Sequence, residues 1–363
     1  MKQAKITFFL LFISVCLSIA FSASANDQKQ VSELGYMLVD AIKSENYTKI
    51  DKRFDKQAFT EIIVQSMKLS QKDNNIVRKQ ALTLDLQTIL GNGLAGVDKS
   101  DLKVKMIGVV RENDRAIPVV RINMGDGGSN YYELILKKVN NTYYIEDIFL
   151  ASNSQYISAT LAQAFAMTLN LPAGLAAIFS DNSISLEDMA GTMTEVVAHK
   201  RKGDFKSAYN TLQTLPGMKN KDIVQLLIVL VSAQVNETIY SKELSRFAKN
   251  HGKNPRYSFL LIDYYYYNKQ YDVAIDSINT LLNRYQNDAS LLTLKANIYS
   301  EKKEYAMAIT AAKSAIDAEP DYEDAYWSNV TIALAEDNYS SAIDWLDQLE
   351  IQFNYDFDEE DFI

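Results

Sequence analysis

Gly91-Asn92-Gly93-Leu94-Ala95-Gly96 spells G-x-G-x-x-G, the spacing with which a glycine loop lets backbone N–H groups approach a dinucleotide pyrophosphate. That chemistry needs a strand before the loop and a helix N-terminus after it. Here Val97-Asp98-Lys99-Ser100-Asp101 follows, a polar loop leading into the apolar run VKMIGVV. No cofactor is therefore expected at these glycines.

The two histidines, His199 and His251, stand about 50 residues apart with no cysteine beside either. A zinc site takes about four clustered N, S or O ligands, so neither a structural nor a catalytic metal is expected. His199 adjoins Lys200-Arg201-Lys202 and His251 opens the run His251-Gly252-Lys253-Asn254, so both read as surface residues rather than as bases for a nucleophile. The tail Asp356-Phe357-Asp358-Glu359-Glu360-Asp361 alternates carboxylates, but it lacks the glycine and the length of a calcium loop and reads as a solvated acidic tail over 353–363. Phe357 and Phe362 are the residues that could dock it. Tyr131, Glu133, Tyr143 and Asp147 are the residues that could line a pocket in the first half, for a small molecule or a hydrolytic reaction.

What must position these groups begins at the N-terminus. Lys2 and Lys5, the apolar run from Ile6 to Phe21 and the small-residue site Ala23-Ser24-Ala25 have the order of a secretory signal peptide, residues 1–25, cleaved after Ala25. The run is shorter than the roughly 20 apolar residues of a membrane span, so no integral span is expected after cleavage. A lipid on Cys16 is a lesser alternative, since Val15 stands where lipoprotein signals want a small residue. Cys16 is the sole cysteine, which leaves the mature chain without disulfides and points to a bacterial periplasmic or secreted protein stabilised by core burial alone. The formal charge is −9 and becomes −11 once Lys2 and Lys5 are removed, leaving 35 basic against 46 acidic side chains. Phosphate binding needs clustered positive charge, so a nucleic-acid partner is not expected.

From Pro255 the sequence lines up with itself at a fixed offset of 34 residues. Tyr271 and Ala274 recur as Tyr305 and Ala308, then as Tyr339 and Ala342. In the middle copy, small residues at Ala296 and Ala308 would let two helices cross closely, Tyr299 and Tyr305 would fill the wedge where they splay, and Pro320 would follow the second helix at its end. Those spacings resemble the tetratricopeptide repeat family, which implies antiparallel helix pairs stacked into a superhelical solenoid. Clear copies span 255–288, 289–322 and 323–352. A degenerate one shows in Gly203, Phe205, Ala208 and Leu212, and Lys221 to Asn236 with Ser241 to Asn250 supply another helix pair out of register.

The resemblance also implies a use for the run Tyr264-Tyr265-Tyr266-Tyr267. By register Tyr265 takes the place of Tyr299 and faces its own second helix, Tyr264 turns to a neighbouring repeat, and Tyr266 and Tyr267 fall on the concave side. Concave residues of first helices hold peptides or partner helices in that family; here they are Phe259, Asp263, Tyr266, Tyr267, Asn297, Trp327 and Thr331. Such an aromatic stripe suits an apolar or amphipathic segment of a partner protein. The alternative is that these rings pack against the adjacent domain or the C-terminal tail. Lysines that would clamp a terminal carboxylate are missing, with Asp263 and Glu301 standing there instead.

Residues 28 to 94 carry helical stripes, Val31, Leu34, Leu38, Ala41 and Ile42 in one and Phe59, Ile62, Ile63, Met67 and Leu69 in another. Over 102–150 the period changes to two, and VKMIGVV, AIPVVRINM, YYELILKK and TYYIEDIFL predict strands joined by turns at Gly125-Asp126-Gly127-Gly128 and Asn140-Asn141. Helices followed by an antiparallel meander resemble, by element order, the nuclear-transport-factor-2-like and cystatin-like group. The sequence thus predicts an α+β domain over 26–155, a helical linker over 156–185 and an all-α repeat solenoid over 186–352. Pro172-Ala173-Gly174 and Asp181-Asn182-Ser183 break the linker, and Ser185 starts the next helix. The expected function is a non-catalytic, exported scaffold that binds a protein or peptide partner. A small-molecule binder or hydrolase with its pocket in the 26–155 domain is the alternative, and a solely structural subunit of an envelope complex is a third reading.

Overall fold

The computed structural model describes residues 26–357, apart from 92–93, 95–96, 126–127, 170, 172–173, 175–185 and 216–221. The expected leader 1–25 with Cys16, most of the glycine run, the breaks at Pro172 and Asp181 to Ser183, Ser185, and the tail from Asp358 lie outside the described residues. The chain divides into two units, one made of the segment up to Thr60 with Gln80–Phe149, the other of Glu61–Lys79 with Leu150–Ile363.

The first unit opens with a helix, α1, over 26–44. Its stripe Val31, Leu34, Leu38, Ala41 and Ile42 is buried throughout, as a 3.6-residue period requires. Gly35 marks a close approach of this helix to the sheet, since a Cβ there would come within 2.2 Å of the Met106 sulfur and 3.3 Å of Pro118 Cβ. A short α2 (Thr48–Asp51) and the start of α3 (Lys56–Met67) follow, with Asp55 capping α3 by accepting from the Ala58 N–H at 2.9 Å.

Four long strands and one short one make the sheet: β1 Leu102–Glu112, β2 Arg115–Met124, β3 Ser129–Val139, β4 Thr142–Leu150 and β5 Gln155–Tyr156. Their order follows the chain, β1-β2-β3-β4-β5, and β1 to β3 pair antiparallel, with a bulge between Met106 and Gly108. Asn140 and Asn141 both hold positive φ, 48° and 62°, the conformation a two-residue hairpin turn demands. Asn113 and Asp114 do the same between β1 and β2, at 46° and 63°.

In the second unit α3 continues, and α4 (Gln71–Ala81) returns so that Arg78 grips Glu61 with two hydrogen bonds of 2.8 and 3.0 Å. The Glu61 carboxyl is held below its usual pKa by that bond. After α5 (Ile157–Thr168) the helices come in pairs: α6 Leu186–Arg201 with α7 Phe205–Gln213, and α8 Asp222–Ser232 with α9 Glu237–His251. A 3-10 turn at Pro255–Tyr257 leads to α10 Ser258–Tyr267 with α11 Tyr271–Arg284, α12 Ala289–Glu301 with α13 Tyr305–Ala318, and α14 Glu323–Ala335 with α15 Tyr339–Phe353. These last three are the tetratricopeptide-like copies.

The turn inside each of the three clear copies repeats as faithfully as the helices do. Lys269, Lys303 and Asp337, 34 residues apart, all take the left-handed conformation (φ 56°, 61° and 56°), and Gly203 takes it in the degenerate copy (φ 72°). Only glycine adopts that conformation without steric cost, so the degenerate copy carries the residue that fits best.

Ala296, Ala308, Ala311, Ala312 and Ile332 form one buried cluster, with Tyr299, Tyr305 and Ile309 packed against it. Ala308 is 0% exposed, so a leucine there has no space to enter. Ala308→Leu is expected to lower stability by about 1–3 kcal/mol through overpacking, read as a lower urea midpoint. An unchanged midpoint would remove the helix crossing from that position.

Candidate partner-binding face

The tyrosine run is resolved by the turn of α10. Tyr264 donates its hydroxyl to Ser245 Oγ of α9 at 2.9 Å, which places it toward the neighbouring pair as the register predicts. Tyr265 is buried, and its hydroxyl reaches Gly252 in the turn after α9. Tyr266 is half-buried and meets Tyr267 edge-on, with centroids 5.4 Å apart, and Tyr271 at 6.0 Å. Tyr267 stands 79% exposed.

Around this pair the surface is acidic. Asp263 is solvent-accessible, yet neighbouring protein desolvates its carboxyl and raises its pKa, and its charge helps to raise that of Tyr240 on α9 after the larger effect of burial. Glu301 acts likewise on Tyr266, again second to burial. Lys302 and Lys295 are engaged by neighbouring groups. Lys302 binds Asp272 at 2.6 Å and Glu304 at 2.9 Å, and Lys302 and Lys295 lie 5.8 and 5.9 Å from the centre of the Tyr299 ring.

The remaining expected residues differ in what surrounds them. Phe259 is half-buried, and Asn297 is exposed while accepting from Ser328 Oγ at 2.6 Å. Thr331 is exposed and donates to the Trp327 carbonyl at 3.0 Å. Trp327 is covered by the chain itself: Tyr355 and Phe357 each meet its ring edge-on, both with centroids 5.7 Å away. For Trp327 the alternative contact with the tail therefore holds. Within the expected acidic tail, Phe357 is half-buried against Trp327, while Tyr355 and Asp356 stay exposed.

The residues proposed to line a pocket in the first unit part company. Tyr143 lines a pocket of about 510 Å³ with Arg111, Arg115 and Lys138. Lys138 is held there by Asp27 at 2.8 Å and lies 5.3 Å from the Tyr143 ring centre. Tyr131, Glu133 and Asp147 are buried and do not line it. Arg121 pairs with Tyr131, and Glu133 with Val119, so Arg121 and Glu133 occupy neighbouring positions on one sheet face, opposite charges buried close together.

Gly91 ends a π-helical turn, Gln87–Gly91, so the glycine run is not preceded by a strand. His199 sits 3.8 Å from Asp204. His251, expected at the surface, is half-buried at the end of α9 against Phe247, 5.2 Å between centroids. No group of three or more metal-ligating side chains occurs among the described residues.

The ChAPs family, described as Chs5p-Arf1p-binding proteins, matches residues 208–352, less than half of the chain. No curated protein sequence matches. Among solved structures, a crystal structure of MamA is similar at 17% identity, covering 44% of this chain and 97% of its own, with a TM-score of 0.33. A second MamA structure covers 46% and 94% at 17% identity and a TM-score of 0.35. MamA from Desulfovibrio magneticus RS-1, residue 41 to its end, covers 45% and 93% at 14% identity and 0.35.

Proposed function

We propose that the chain is an exported, non-catalytic interaction module whose first helices α10, α12 and α14 hold an apolar or amphipathic segment of a partner protein on their concave side. The carrying observation is Tyr267, a large aromatic left 79% exposed beside Tyr266 on a first helix of the repeat array. A ring left in water at that position costs about as much as its burial would return, and aromatic anchors of this kind dominate peptide and helix recognition. The match of residues 208–352 to a family described as binding protein partners supports the same use of the array. The acidic residues Asp263 and Glu301 favour a segment with basic or neutral flanks over an acidic one.

A photo-crosslinking residue in place of Tyr267, set against one in place of Met307 on the exposed side of the second helix α13, tests the reading in living cells. Adducts to a protein partner are expected from position 267 and not from 307, and N-terminal sequencing of the adduct is expected to begin at Asn26 if the leader directs export. Adducts of equal yield from both positions, or none from 267, would overturn the assignment of the face.

A further inference from the structure

The last helix ends at Asn354, whose φ of 63° reverses the chain while its N–H caps the Glu350 carbonyl at 3.0 Å. Beyond it Tyr355 and Phe357 both bring their rings to Trp327. Their two rings stack nearly parallel, 5.1 Å apart at 9°, and present a joint edge to Trp327 at 84° and 82°. Phe357 also packs against the cluster of Tyr326, Val330 and Leu349. Two carboxylates frame the seat. Glu323 of α14 accepts the Tyr355 hydroxyl, and Glu350 of α15 accepts the Phe357 N–H at 3.3 Å.

The seat is therefore selective in a readable way: a flat aromatic wall for two rings spaced i, i+2, and an acceptor at each end that a partner carboxylate could not satisfy. Its occupant remains partly open, with Tyr355 38% exposed, and holds its place with few contacts because its tether keeps the local concentration in the millimolar range. We infer that the Trp327 seat is a docking site for an extended partner segment of the form Tyr-x-aromatic, and that the chain's own Tyr355-Asp356-Phe357 occupies it until such a segment displaces it. This deepens the interaction reading above and rests on it, since Trp327 and Thr331 continue the same first-helix face.

The probe is a fluorescent synthetic peptide spanning residues 354–359, titrated into the full chain and followed by anisotropy. Tyr355→Ala with Phe357→Ala frees the seat and is expected to raise affinity for the peptide at least tenfold over the unaltered chain. A peptide with both rings replaced by alanine is expected not to bind. Should the double variant lose its helical circular dichroism, Tyr355→Phe removes only the hydroxyl held by Glu323 and is expected to raise affinity several-fold. Equal binding by the unaltered and freed chains, no binding by either, or binding that survives Trp327→Ala would each overturn the seat. Crosslinking from position 267 reads the open part of the face, so a failure there and a failure here are separately visible.

Discussion

Phe247→Ala is expected to cost about 3–5 kcal/mol, the range for deleting a fully buried aromatic. Phe247 on α9 is 0% exposed and meets Tyr257 edge-on at 4.8 Å and His251 at 5.2 Å. Tyr257 in turn donates its hydroxyl to Asp222 of α8 at 2.9 Å. One ring thus ties the α8–α9 pair to the turn that starts the regular repeats, and its removal leaves a cavity that three elements would have to collapse around. Urea denaturation followed by circular dichroism at helical wavelengths reads the loss. A cost below about 1 kcal/mol would mean that the pair and the repeats do not share this core.

Alkaline unfolding is the second large effect. Tyr47, Tyr132 and Tyr209 are buried, and burial pushes each hydroxyl up to about 12. The smaller causes are the charge of Glu45 for Tyr47, that of Tyr47 for Tyr132, and for Tyr209 its 2.6 Å hydrogen bond to the Glu243 carboxylate together with that charge. Tyr257 is raised as well, by burial first and then by Asp222. In the unfolded chain these groups ionise near 10. Because the folded values are the higher ones, the unfolded state loses its protons first: the contribution is fully present below pH 10 and is lost as pH rises toward 12. At about 1.4 kcal/mol per unit, each of the three gives up roughly 2–3 kcal/mol over that window. Phenolate absorbance should rise in two steps, exposed tyrosines first and the buried set together with loss of helical signal. A single step near pH 10 with circular dichroism unchanged would contradict the burial of all three.

The repeats were legible because their packing is local. Ala296, Ala308, Tyr299 and Tyr305 sit at spacings that only a close crossing of two helices explains, and the three clear copies fold as helix pairs within them. The strands were legible for a similar reason, through a period of two and the Asn140-Asn141 turn. The Asn113-Asp114 turn offered the same signal between charged neighbours, and a two-residue β5 is too short to show any period. What the sequence left open depends on distant partners. Tyr355 and Phe357 reach Trp327 about 30 residues back because Asn354 turns left-handed, and their rings lie in a run of carboxylates whose charge dominates its reading. Tyr131, Glu133 and Asp147 show the reverse error: polar residues on strands read as pocket linings, whereas a β2 buried from Ile117 to Asn123 places their neighbourhood in the interior. Likewise Glu61–Lys79, grouped with the repeat unit, carries no mark of that grouping in its own pattern.

Within the repeats each helix pair touches the next in line, α10–α11 to α12–α13 to α14–α15. Energy in such a stack is passed between nearest neighbours and is not pooled in one centre. A pull applied at Phe357 would therefore first part the stacked rings from Trp327 and then peel α15 from α14 before the next pair is exposed. Residues 355–357 thus sit where such a stack would begin to open, one pair at a time.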